Sequence, residues 1–152
     1  MEDILLDNVD HKYYYEDKPL YAKIKSYPFK SGTAYQWRRK YIRENKKGVC
    51  PTLTANMGTG GHNVPLVKDK KGIRKLTPKE CFMLQGFPSI YRLPENLPDS
   101  TLYKQAGNSV TTTVIERVAK NILATLKDNA IKSSPVRLPL ERFNINSLTI
   151  SA

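Results

Sequence analysis

The spacing of apolar residues in this chain changes about halfway along it. Between residues 33 and 43, aromatic and other β-favouring types alternate loosely with polar ones. Asn45-Lys46-Lys47-Gly48 then supplies a turn, and Val49 to Ala55 reads as another strand. Gly58, Gly60 and Gly61 open a loop, after which Asn63 to Val67 and Ile73 to Leu76 look like short strands around a Lys-Asp-Lys-Lys-Gly turn. Residues 30–76 are therefore expected to form an irregular β-rich lobe. Beyond it the period becomes helical. Thr77-Pro78-Lys79-Glu80 joins a capping threonine, a proline at the first helical position and a glutamate three residues past the cap, with Gly86 as the stop. A longer helix is written by Val110, Val114, Ile115, Val118, Ile122, Leu123 and Leu126, whose spacing of three and four lines one face that must be buried against something.

The two ends carry weaker signals. Residues 2–7 suit a short helical turn, and Asp17-Lys18-Pro19 suits a helix start, with Asp17 as cap, ahead of Leu20, Tyr21 and Ile24. Residues 130–152 show no clear period, contain Ser133-Ser134-Pro135, and read as a tail that docks on a neighbour or stays mobile. No internal repeat or low-complexity tract interrupts the chain.

Composition narrows the class. At 152 residues the chain is about one domain long, and a compact fold of that size buries roughly 70% of the surface of its extended chain. With 39% apolar and 26% charged residues it reads as globular. No run approaches the roughly 20 apolar residues of a membrane span, so no membrane partner is expected. The opening MEDILLDNVD is acidic and shows no secretory pattern. Cys50 and Cys81 are accordingly expected as free thiols in a reducing cytoplasm, and with His11 and His62 they are too scattered for a zinc site.

Charge sharpens this picture once it is divided along the chain. Residues 1–22 hold two Lys/Arg against six Asp/Glu, residues 23–75 fourteen against two, and residues 76–152 nine against six, giving −4, +12 and +3. A segment that basic attracts polyanions and gains free energy by releasing their condensed counterions, although a solvated lysine-rich surface has the same charge. The interleaving of Tyr35, Trp37, Arg38, Arg39, Tyr41 and Arg43 favours nucleic acid, because it mixes phosphate-pairing guanidiniums with rings that pack or stack.

Two segments go further. RKLTPKECFMLQGFP (74–88) and YKQAGNSVTTTVIERVAKNI (103–122) resemble the ninth and tenth motifs of the DNA cytosine-5 methyltransferase family, in that family's order and at about its spacing. Before the ninth motif the family carries a variable target-recognition region that usually ends in a Thr-Leu pair and a glycine-rich loop. Pro51-Thr52-Leu53-Thr54-Ala55 and Met57-Gly58-Thr59-Gly60-Gly61 occupy that slot. The resemblance covers roughly residues 1–127. It implies an α+β chain: a linker from a catalytic domain (1–22), a target-recognition lobe (23–76), motif helices (77–127) that pack on an absent Rossmann-like catalytic domain, and a C-terminal tail (128–152).

Enzymes of this family flip a cytosine from the duplex, attack C6 with a cysteine thiolate and transfer a methyl group from S-adenosylmethionine to C5. The nucleophile sits in a Pro-Cys-Gln loop, which this sequence does not contain. The resemblance thus implies that the chain contains no catalytic residue, is inactive alone, and works with double-stranded DNA and an N-terminal catalytic domain or subunit. Met1 is then either the start of a separate subunit or an expression boundary. A bacterial restriction-modification system, in the cytoplasm at the nucleoid, is the implied setting. Cys50 stands in Val49-Cys50-Pro51, the reverse of the Pro-Cys order, and packing is the better account of it and of Cys81.

By the same resemblance Asn108 and Ser109 contact S-adenosylmethionine. A flexible Gly107 followed by an amide and a hydroxyl at a helix N-terminus also presents donors suited to a carboxylate, while simple helix capping remains the other account. Thr52 matches a threonine that supports the phosphate backbone near the flipped base, with Leu53 packing behind it. Thr54, Gly58, Gly60 and Gly61 complete the expected DNA-contacting loop, since glycines let backbone approach DNA closely but also serve plain turns. Arg38, Arg39 and Arg43 are candidates for reading guanine or for holding phosphate, in no order that the sequence decides. A free-standing DNA-binding module and a folded but inactive methyltransferase remnant remain open alternatives. The apolar helix at 110–126 argues against the first, and the intact ninth and tenth motifs argue against the second.

Overall fold

The structure, a computed structural model, describes residues 2–46, 48–58 and 64–132. The chain divides into two compact units, residues 1–115 and 116–152. In the first unit, 3-10 turns at Glu2–Ile4 and His11–Tyr13 precede a single helical turn, α1 (Tyr21–Ile24). Four short strands follow: β1 (Tyr35–Arg38), β2 (Tyr41–Glu44), β3 (Leu66–Lys68) and β4 (Ile73–Lys75). They form one antiparallel sheet in the order β2-β1-β3-β4. Helices α2 (Pro78–Leu84) and α3 (Asp99–Asn108) complete this unit, together with the first turn of α4 (Thr112–Lys132). Among the described residues no helix is long and apolar enough to cross a membrane.

At β3 and β4 both faces of the sheet carry buried residues: Leu66 and Val67 on β3, Ile73 and Arg74 on β4. Tyr35, Trp37, Leu66 and Ile73 share one face and close over Ile24 and Phe29. On the other face Val67 belongs to a second core with Tyr13, Leu53, Met57, Phe82 and Tyr103. That second core joins the N-terminal segment, the loop before β3 and helices α2 and α3. Packing is therefore continuous across residues 22 and 76, where sequence suggested boundaries, and the break between units falls at 115/116.

Local signals built α2 as expected. Thr77 and Glu80 form a reciprocal capping box, with Glu80 N–H on Thr77 Oγ1 at 3.2 Å and Thr77 N–H on the Glu80 carboxylate at 2.7 Å. Gly86, at φ 84, ends the helix. Its N–H donates to the Met83 carbonyl and the Phe87 N–H to the Phe82 carbonyl, and the two rings meet at 5.2 Å, a Schellman closure.

Several expectations are corrected. Residues 33–43 are not one run but a hairpin, turning at Arg39-Lys40. Val49–Ala55 is no strand: Leu53 is drawn into the core, Pro51 has no N–H to give a ladder, and the segment joins no sheet among the described residues. Asp17 does not cap α1, whose N-cap is Leu20 with no side-chain bond; Asp17 instead lies 3.5 Å from His11. A separate helix, α3, precedes the long one, and α4 runs to Lys132 rather than stopping near Leu126. The apolar positions of α4 are exposed, with Val114 and Leu126 more than half accessible, so nothing among the described residues buries them. The tail expected at 128–152 is helical as far as Lys132, and the rest of it lies outside the described residues.

Candidate nucleic-acid interface and adjoining pocket

The β1–β2 hairpin sorts its residues by the two-residue period of a strand. Tyr35 and Trp37 turn into the core and anchor the ribbon. Paired residues share a face, so Gln36 with Arg43 and Arg38 with Tyr41 form the opposite one. Arg38, Tyr41 and Arg43 are exposed there, and Arg38 donates to Gln36 Oε1 at 2.8 Å. Two of the three candidate arginines thus lie on one exposed face. The third, Arg39, sits in the turn at φ 53, the one non-glycine residue at positive φ among the described residues. Lys40 N–H closes back onto the Arg38 carbonyl across it. A left-handed non-glycine costs on the order of 1 kcal/mol.

The Thr-Leu loop is fixed by α3. Leu53 is buried, while Thr52 and Thr54 are exposed and Thr54 Oγ1 donates to Asn56 at 2.7 Å. A Cβ on Gly107 would stand 2.2 Å from the Thr54 carbonyl carbon and oxygen, and one on Gly58 would stand 2.9 Å from the Ser100 carbonyl oxygen. These glycines let loop and helix backbones touch, which is a different use from the flexibility expected of Gly107 and the DNA approach expected of Gly58. Gly60 and Gly61 lie outside the described residues.

Where that loop meets the end of α3, a cavity of about 560 Å³ opens, lined by Thr52, Gln85, Ser109 and Thr111 among apolar Leu84, Val110 and Val114. Ser109 is on its wall, but exposed Asn108 is not. Neither residue is at a helix N-terminus: Asn108 is the last residue of α3 and Ser109 its C-cap. Ser109 Oγ donates to the Ala106 carbonyl at 2.7 Å and Thr111 Oγ1 to Gln85 Oε1 at 2.9 Å. With those protons committed, the two hydroxyls offer acceptor lone pairs to the cavity, a better match for ammonium or hydroxyl groups than for the carboxylate expected from sequence.

Cys50 also lines the cavity, and burial pushes its thiol up to about 12; burial likewise holds Cys81 well above the ordinary value. Both sulfurs are protonated at neutral pH and are poor nucleophiles.

A further network, between β4 and α2, is one that sequence reasoning did not single out. Arg74, wholly buried, donates to both Glu80 carboxylate oxygens, at 2.8 and 2.7 Å, and through Nε to Asp69 at 2.5 Å. The Tyr14 hydroxyl and the Lys71 and Gly72 N–H groups also donate to Asp69. Burial pushes the Asp69 carboxyl up, yet these bonds outweigh it and hold the group below its ordinary 3.8. An arginine directly after an apolar strand residue, six positions before a helix-capping glutamate, was the available signal.

Residues 3–124 match the family model of the C-5 cytosine-specific DNA methylases, and the chain belongs to that family. Among curated relatives, it is 60% identical over 124 residues to the Type II methyltransferase M.Bsp6I of Bacillus sp. (strain RFL6), covering 80% of this chain and 39% of that protein. It is 32% identical over 124 residues to M.SsoII of Shigella sonnei, covering 82% and 32%, and 47% identical over 58 residues to M.HpaII of Haemophilus parainfluenzae, covering 38% and 16%. The chain thus spans about two-fifths or less of the length of these Type II methyltransferases.

Proposed function

We propose that this chain is the portion of a DNA (cytosine-5) methyltransferase that grips the target duplex and completes the methyl-donor pocket, within a restriction-modification system. The reactive cysteine is contributed by a separate catalytic portion. The observation that carries this reading is the β1–β2 hairpin, which displays Arg38, Tyr41 and Arg43 on one exposed face while Tyr35 and Trp37 root it in the core. A basic ribbon held rigidly in this way suits a polyanionic duplex. The raised pKa of both thiols supports the division of labour.

The cavity fits S-adenosylmethionine in part. Its hydroxyl acceptors suit an ammonium or ribose hydroxyl and its apolar wall suits a ring, but no carboxylate among the described residues lines it, so these residues would provide one wall only. When bound, that donor supplies an activated methyl group on sulfur. Ser109, Thr111 and Gln85 hold the wall in place through their own bonds, and exposed Val110 and Val114 exclude water once the catalytic portion covers them. The exposed α4 positions Val118, Ile122, Leu123 and Leu126 are the surface on which the catalytic portion docks.

Mixing the chain with a catalytic portion of a family member, radiolabelled donor and duplex DNA tests the proposal. Transfer to cytosine C5 is expected only in the mixture, and Ile122→Asp with Leu126→Asp should abolish it without unfolding residues 1–115. Robust transfer by this chain alone would overturn the reading.

A further inference from the structure

We propose that Arg39, at the tip of the β1–β2 hairpin, is the side chain that discriminates base sequence, by pairing its guanidinium with a guanine. This deepens the function proposed above and rests on it. The turn between Arg38 and Tyr41 has only two residues, and the first of them takes a left-handed backbone that glycine adopts without strain. Arginine at such a position gains nothing for the fold: its side chain is exposed, and among the described residues it makes no hydrogen bond or ion pair. A strained backbone carrying a cation that has no partner among the described residues, at the end of a rigid ribbon, has the features of a probe kept for contact with another molecule.

The surroundings rank the three arginines that sequence left unranked. Arg38 is bonded to Gln36 at 2.8 Å, which lays its guanidinium along the strand. Arg43 stands opposite Gln36 on the broad face of the ribbon, three residues past the turn, where it suits a phosphate along a groove edge. Only Arg39 occupies the leading end. A two-stranded ribbon fits the major groove, and there the planar fork of arginine matches the O6 and N7 acceptors of guanine, which the point charge of lysine does not.

The test uses the full 152-residue chain and a random-sequence duplex DNA pool, with repeated selection by binding and sequencing of the enriched molecules. Affinity is then measured for the selected duplex and for a scrambled one across a salt series, with wild type, Arg39→Gly and Arg39→Lys. Wild type should enrich a motif containing a guanine, and both variants should lower the selected-to-scrambled affinity ratio about tenfold or more. Arg39→Gly should melt no lower than wild type, because it removes the strain. Arg39→Lys should keep the wild-type salt slope, which separates a lost base contact from a lost charge. If either variant retains the wild-type ratio, Arg39 is not the reader, and the proposed role in DNA binding is untouched. If wild type enriches nothing and its binding is independent of salt, the DNA-binding reading falls and this inference with it.

Discussion

Arg74 and Glu80 face each other in the interior, each wholly inaccessible to solvent, with two guanidinium nitrogens on two carboxylate oxygens at 2.8 and 2.7 Å. The pair ties β4, the last strand of the basic sheet, to the capped start of α2. Glu80 also receives the N–H groups of Thr77 and, at 2.9 Å, Leu6, so three chain segments converge on one carboxylate. Desolvating two charges offsets much of their attraction, so the pair is better read as fixing how these segments meet than as a large source of net stability.

Removing one partner is a different matter, because it leaves the other charge buried and unpaired. Arg74→Ala and Glu80→Ala should each destabilise the protein by about 3–5 kcal/mol in urea unfolding. The double variant Arg74→Met with Glu80→Leu should recover a good part of that loss. If the single variants cost less than about 1 kcal/mol, the pair is not the organising contact described above.

Gly107 gives a prediction in which two effects oppose each other. It lies inside α3, where alanine is favoured over glycine by up to about 1 kcal/mol. An added Cβ, however, would stand 2.2 Å from the Thr54 backbone, and backbone cannot swing aside as a side chain can. Overpacking of about 1–3 kcal/mol should win, so Gly107→Ala is expected to lower stability and displace the Thr52–Thr54 loop. Gly48→Ala is the control: it stands at φ 74 with nothing near its Cβ and carries only the left-handed strain. Equal stability of the Gly107→Ala variant and wild type would remove the close approach from the account.

The contrast between α2 and its neighbours shows what the sequence made legible. Helix α2 was readable because its signals are local: cap, proline, capping glutamate and terminal glycine all lie within ten residues of one another. Helix α3 was not, because Pro98 offers no capping side chain and Gly107-Asn108 reads as a turn until Thr54 is known to press against it. The hairpin turn was hidden for a related reason, since Arg39-Lys40 lacks the glycine or asparagine that usually marks a two-residue loop. Val49–Ala55 misled in the opposite direction: its β-favouring residues serve burial of Leu53 rather than a ladder. The basic character of the lobe and its candidate arginines were visible from composition. Which arginine stands at the tip depended on a register that only the fold supplies.

Tyr13, Tyr14 and Tyr15 are three consecutive buried rings, and their ionisation yields a prediction at the alkaline end. Burial pushes each hydroxyl up to about 12 from an ordinary 10.0, helped at Tyr13 by Asp99 and at Tyr14 by Asp69. The folded state therefore favours the neutral phenol. Because the folded value exceeds the unfolded one, the associated stability is fully present below pH 10 and is lost as pH rises from about 10 towards 12. Tyrosinate absorbance followed with circular dichroism should show these rings ionising late and together with unfolding. Tyr15→Phe, whose shift comes from burial alone, should flatten the alkaline limb of stability and leave the acid limb unchanged. Full ionisation of all nine tyrosines near pH 10 with no loss of ellipticity would contradict the tight packing of the N-terminal segment against β4.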